Sequence, residues 1–158
     1  MHPSGVGTWT GDWAWSLPLI VLTVIIHVCG LAVIGERVVE ALGESVAVDR
    51  RRFMLKFALV MGGTSLLATV LHGIEGAIWA AAYLFVGALP DARTAMLYSI
   101  SAMTAYGHAA LFLKDRWQLM GALEALNGML LFGLTTAFLF AMIQRAWPLG
   151  SRDRHRDR

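Results

Sequence analysis

No lysine or arginine occurs in the first 35 residues. The apolar run Ser16–Ile34 therefore has no basic region ahead of it, and it is followed by Gly35-Glu36-Arg37 rather than by a small-residue cleavage site. Both absences argue against a cleaved leader and for a membrane span. Cysteine is nearly absent too: Cys29 is the only one, which excludes an intrachain disulfide, and inside an apolar run it reads as a small core hydrophobe. No phosphate-binding loop, nucleophile–base pair, nucleic-acid motif or internal repeat is present, so neither an enzyme nor a nucleic-acid partner is expected. Charge is scarce. Charged residues make up 15% of the chain against 57% hydrophobic, with a mean hydropathy of +0.60, which places it among integral membrane proteins.

Three segments are long enough to cross a hydrocarbon core that takes about 20 residues. Ser16–Ile34 is uncharged, Phe57–Leu89 carries only Glu75, and Trp117–Ile143 carries only Glu124. Of the thirteen basic residues, five lie in 37–56 (Arg37, Arg50, Arg51, Arg52, Lys56) and five in the tail (Arg145, Arg152, Arg154, Arg156, Arg158). The positive-inside rule puts both groups in the cytoplasm and residues 1–15 outside. Three crossings satisfy that arrangement and a fourth violates it. Trp9, Trp13, Trp15 and Trp117 then fall at the outer interface and Trp147 at the inner one. Val38, Val39, Leu42 and Val46, set among Arg37, Glu40 and Glu44, suggest a helix on the inner membrane surface or a solvated helical linker. The tail 146–158, rich in alternating charge, reads as disordered.

Residues 90–117 are long enough for a short fourth helix, but their flanks and the charge placement argue against a crossing. They are apolar, yet small and polar residues, Thr104-Ala105-Tyr106-Gly107-His108-Ala109-Ala110, occupy their middle, and Arg93, Lys114 and Arg116 flank them. Beginning and ending on the outside, they should form a re-entrant element: a short helix over 95–103, a turn and return over 104–110, and an exit at Lys114-Asp115-Arg116. Non-helical backbone at membrane depth has to be buried in protein or line a watery cavity. One such loop cannot enclose an ion path, so several copies would surround an axis.

Several pieces of 72–140 carry a family likeness: His72-Gly-Ile-Glu75, Trp79-Ala-Ala-Ala-Tyr83, Ala95-Met-Leu-Tyr-Ser99, Arg116-Trp117, Gly121-Ala-Leu-Glu-Ala-Leu-Asn-Gly128 and Phe132-Gly-Leu-Thr-Thr-Ala137. In these the chain resembles the bacterial pore-domain potassium-channel family, in which two transmembrane helices flank a pore loop. The likeness covers under half of the chain and leaves out the first span. It implies an all-α integral membrane protein with three transmembrane helices plus a re-entrant pore helix and loop, assembled as a homotetramer in a bacterial inner membrane. The expected parts are an N-terminal helix 16–36, a basic linker 37–56 and a pore domain 57–145. That domain comprises an outer helix 57–89, the pore loop 90–117 and an inner helix 117–145.

The family's filter reads T-T-L-G-Y-G-D, and its carbonyls replace the hydration shell of potassium. Aligned without gaps, Thr104, Ala105, Tyr106, Gly107, His108, Ala109 and Ala110 stand at those seven positions. Ala109 replaces a glycine, and positive φ costs alanine roughly 1–2 kcal/mol. His108 replaces the bracing phenol with a ring that titrates near neutral pH. The expectation is passive permeation of a monovalent cation, potassium or sodium, with weak or altered selectivity and pH sensitivity through His108. No resident cofactor is expected.

Buried charge marks further candidates. Glu75 should lie roughly 21 Å below an outer boundary at Leu89, and Glu124 only about 10 Å below Trp117. Glu124 is read as bracing the pore loop from behind through its backbone, or as a protonated carboxyl serving a neighbouring helix, with Asn127 as its partner or as a helix–helix contact. His72 and Glu75, three residues apart, are read as a pair satisfied locally. Gly121, Gly128 and Gly133 permit close packing of the last helix, or its bending during gating at Gly128 and Gly133. Two other readings stand beside the channel. One is a non-conducting membrane protein that keeps the fold for binding or regulation. The other is a helical bundle holding haem or a metal between His27 and His72, each near mid-depth of its span.

Overall fold

A computed structural model describes the backbone of residues 5–43, 50–104, 106 and 111–151, with side chains over 9–42, 51–104, 106 and 111–145. These residues form helices α1 (Gly5–Gly43), α2 (Arg50–Phe85), α3 (Ala92–Met103) and α4 (Gln118–Ser151), with a 3-10 turn at Asp115–Trp117. Among the described residues there is no strand. Trp9–Leu42, Arg51–Phe85 and Asp115–Arg145 are long and apolar enough to cross a membrane, as the sequence requires. Only α3, at 12 residues, is too short.

Contacts divide the chain into two compact units, to both of which α1, α2 and α4 contribute. The first comprises Met1–His27 and His72–Phe132, the second Val28–Leu71 and Gly133–Arg158. The first is built on Trp79, Tyr83 and Met120, all fully buried, with Ala95, Tyr98 and Ala102 of α3 and Leu113 packed among them. The rings of Tyr83 and Tyr98 meet edge to face at 5.3 Å, a favoured aromatic geometry. In the second unit Val38, Leu42 and Met142 are buried with Ile34, Phe57, Val60, Met61 and Phe138 against them.

That second cluster explains one departure from expectation. Residues 37–43 do not form a separate surface helix; they extend α1, because Val38 and Leu42, four apart, carry its buried stripe onward. Cys29 departs as well: it is exposed rather than part of a core.

The end of α2 determines where the chain goes next. Gly87 has φ +64°, and two bonds close the terminus: Ala88 N–H to the Tyr83 carbonyl at 2.8 Å and Gly87 N–H to the Leu84 carbonyl at 3.1 Å. This is a Schellman stop, for which only glycine takes the left-handed position without strain. The two carbonyls just beyond are claimed from further along the chain. Lys114 Nζ donates to the Gly87 carbonyl at 2.6 Å, and Arg116 donates to that of Val86 at 3.3 Å. Cations at a helix C-terminus also suit its macrodipole. At the opposite end of the same connection, buried Asp12 of α1 accepts a bond from Met120 N–H at 3.3 Å, satisfying one of the free amides of the first turn of α4.

Asp91 starts α3. Its carboxylate accepts from Thr94 N–H at 3.0 Å and from the Thr94 hydroxyl at 2.7 Å. These bonds hold its carboxyl below the usual carboxylate range. A depressed folded value means the cap is fully present above the unfolded pKa and is lost as pH falls through the lower, folded one. The Thr94 amide resonance should therefore titrate on acidification with a midpoint below that of an unstructured aspartate. In Asp91→Asn, which caps without ionising, it should stay flat; a titration in that variant would show that another group is responsible.

Candidate functional site

The short helix α3 is held on two sides by side chains that its apolar surroundings make costly. Glu124 of α4 is completely buried. Its Oε2 accepts from the Tyr83 hydroxyl of α2 at 2.5 Å, and its Oε1 lies in hydrogen-bond contact with Ser99 Oγ of α3. Ser99 Oγ, also completely buried, donates to the Gly76 carbonyl of α2 at 2.7 Å. A hydroxyl has one proton to donate, and a carbonyl has none. With the Ser99 proton on Gly76, the contact between Ser99 and Glu124 is satisfied when the carboxyl donates. The chain of bonds then runs one way, from Tyr83 to Glu124 to Ser99 to the α2 backbone, with every proton used once. It ties α2, α3 and α4 together at one point.

Two glycines of α4 let α3 approach. A Cβ on Gly128 would fall 2.4 Å from the Met103 carbonyl oxygen and 2.5 Å from its Cα, both backbone atoms of the last turn of α3. At Gly121 a Cβ would meet the Tyr98 hydroxyl at 2.1 Å. Gly133 meets nothing within 4 Å in this chain, so packing within the chain does not require it.

A second buried polar group involves α1 and α2. His27 Nδ1 lies 2.8 Å from Glu75 Oε1, and His72 Nδ1 lies 3.2 Å from Glu75 Oε2. His27 and Glu75 are fully buried, while the His72 side chain is 12% exposed. The imidazoles are 5.0 Å apart between centroids, and Phe132 stacks on His72 at 4.4 Å. One potential ligand atom from each of the three residues comes within 4.8 Å of the others.

The expected site residues thus separate into groups. Thr104 ends α3, its hydroxyl donating to the Ile100 carbonyl at 2.8 Å, and Tyr106 is 87% exposed. Ala105, Gly107, His108, Ala109 and Ala110 lie outside the described residues. Among the described residues, Glu124 bonds to hydroxyls of α2 and α3. Of the two readings of Asn127, the helix–helix contact is the one seen: its amide donates to the Thr23 hydroxyl of α1 at 2.9 Å. The local pair of Glu75 with His72 exists, but Glu75 has a closer contact in His27. Tyr83, Ser99 and Asp12 carry roles that residue-by-residue reading of the sequence did not assign them. A polar residue at fixed depth on each of two apolar helices was the available signal for Ser99 and Glu124.

No family model matches the chain, and neither curated proteins nor solved structures give a match. The likeness to pore-domain channels therefore rests on the pattern of residues.

Proposed function

We propose that the chain is one subunit of a potassium-channel-like, homotetrameric cation pore, with α3 as a re-entrant pore helix and 104–110 as an altered selectivity filter. The observation that carries this reading is the return of the connection to its start: Lys114 and Arg116 bond to the carbonyls of Gly87 and Val86. A segment that leaves and rejoins at one place suits a loop that enters a membrane and exits on the same side. The basic groups at 37–56 and in the tail favour an N-terminus outside and a C-terminus in the cytoplasm of a bacterial inner membrane.

The electrostatics of α3 support cations. An acidic cap sits at its N-terminus and no basic residue in its last turn, so the negative end of its dipole is left uncompensated where the filter begins. Its outward side chains Leu97 and Ile100 are 51% and 42% exposed in the single chain, a face available to a neighbouring copy. Both the buried Glu124 network and the Gly128 contact fix α3 against α2 and α4, the rigidity a filter needs behind it.

The test is ion flux into liposomes holding the purified chain, with potassium, sodium and proton gradients compared. Expected are potassium and sodium permeabilities within an order of magnitude of one another, and a dependence on pH that His108→Ala abolishes. Flux absent under every gradient would favour a non-conducting role for the fold; strong potassium selectivity would show that Ala109 does not disturb the filter.

A further inference from the structure

We propose that His27, His72 and Glu75 form a binding site for a divalent transition-metal ion of the zinc class, independent of any ion path. Three potential ligands converge from two helices in a region where a lone charge is expensive. A carboxylate so buried needs one positive partner; a single imidazolium would suffice. Here a second imidazole also lies against it, the two Nδ1 atoms standing 2.8 and 3.2 Å from different carboxylate oxygens. Two imidazoles and one carboxylate form the ligand set of three-protein-ligand zinc centres, and nitrogen donors disfavour magnesium or calcium.

The dimensions fit. With bonds of about 2.0–2.1 Å, donors in a tetrahedral shell lie about 3.4 Å apart. The three atoms already stand within 4.8 Å of one another, so movement of little over about an ångström, within reach of side-chain rotation, closes the shell. In the bound form each ligating nitrogen is unprotonated, and its proton resides on the other ring nitrogen or is released. Phe132, stacked on His72 at 4.4 Å with an 18° tilt, fixes the plane of that ring, as outer-shell partners do in metal sites. A fourth position would be reached from the side of His72, the one ligand with measurable exposure, at 12%. A hydroxide there leaves the centre neutral: one doubly charged ion, one carboxylate and one hydroxide.

Haem suits the geometry less. Two axial imidazoles must face each other across a macrocycle, whereas these rings lie 5.0 Å apart and share a carboxylate between their Nδ1 atoms.

The experiment uses the full chain in lipid nanodiscs with any affinity tag removed. Chelator-treated protein is titrated with zinc against a chromophoric competitor, and bound metal is counted by mass spectrometry. The expected result is one tightly held zinc per chain. His27→Ala, His72→Ala and Glu75→Gln should each weaken it by more than about 100-fold, beyond the 10–100-fold typical of an outer-shell partner. His108→Ala should leave it unchanged. Zinc affinity in Glu75→Gln and His72→Ala unchanged from that of the wild-type chain overturns the proposal. So does a wild-type chain that holds none, which would make the three residues a hydrogen-bonded pin. Should the variants misfold, a cobalt titration of the unmodified chain decides: visible bands of tetrahedral cobalt support the site, and their absence overturns it.

Discussion

Replacing Glu124 by alanine is expected to destabilise the protein by about 3 kcal/mol, and replacing it by glutamine by less than about 1 kcal/mol. Alanine removes the acceptor of the Tyr83 hydroxyl, which is buried with no exposure, and leaves a cavity at the junction of α2, α3 and α4. An orphaned buried hydroxyl contributes about 1–3 kcal/mol to that loss, and the missing side-chain volume supplies the rest. Glutamine reproduces the pattern of a neutral carboxyl: its oxygen accepts from Tyr83 and its amide donates to Ser99. The pair of substitutions therefore reads the protonation of the site without a titration. Reversible unfolding in micelles, followed by tryptophan fluorescence, measures both. If glutamine proves as damaging as alanine, the carboxyl is ionised, and the one-way chain of bonds from Tyr83 to Gly76 is wrong.

Gly128→Ala is expected to cost about 1–3 kcal/mol, and a leucine there to prevent α3 from docking at all. The added Cβ meets the oxygen, Cα and carbonyl carbon of Met103 at 2.4, 2.5 and 2.8 Å. These are backbone atoms, so no rotamer relieves the clash and the whole last turn of α3 has to shift. Inside a membrane the effect is sharper in kind, since helices there are held by close packing rather than by exclusion of water. Gly133→Ala is the control: with open space around it, the change in stability should stay within about 0.5 kcal/mol, as for substitutions remote from packed features. Thermal unfolding of the two variants in one lipid mixture makes the comparison. Equal losses at 128 and 133 would mean that the contact with Met103 does not carry the docking. Loss of ion flux in Gly133→Ala without loss of stability would assign Gly133 to bending instead.

The three long helices were legible because length and apolarity alone determine them, and Glu75 and Glu124 were noticed because a carboxylate in such a run is expensive. What those carboxylates touch was not legible. His27 and Glu75 are 48 residues apart, Glu124 and Tyr83 41, and no spacing rule along one helix relates residues on two. Reading Glu124 as a brace for loop backbone could not foresee the two hydroxyls, of Tyr83 and Ser99, that meet it. The short helix over 95–103 was expected from its position between Pro90 and the polar turn, and α3 begins three residues earlier because Asp91 caps it. The join between Val38 and α1 was missed because an amphipathic stripe looks the same on a membrane surface as in a protein interior. The filter chemistry proposed for His108 and Ala109 remains a matter of sequence alone, since both lie outside the described residues.

The separations along the chain also imply an order of assembly during synthesis. The contact of His27 with Glu75 closes as soon as α2 has been made, and Ser99 finds the Gly76 carbonyl only 23 residues behind it. Both can form while α4 is still inside the ribosome, because chains emerge N-terminal end first. Glu124, Asn127 and Gly128 arrive last and all together, within five positions of one helix. With them come the longest closures, Met120 to Asp12 across 108 residues and Asn127 to Thr23 across 104. Until that helix enters, the Tyr83 hydroxyl has no acceptor and α3 has no floor. A released chain truncated before residue 120 should therefore hold α1 and α2 paired, with α3 still open to protease; the last helix acts as the keystone of the arch.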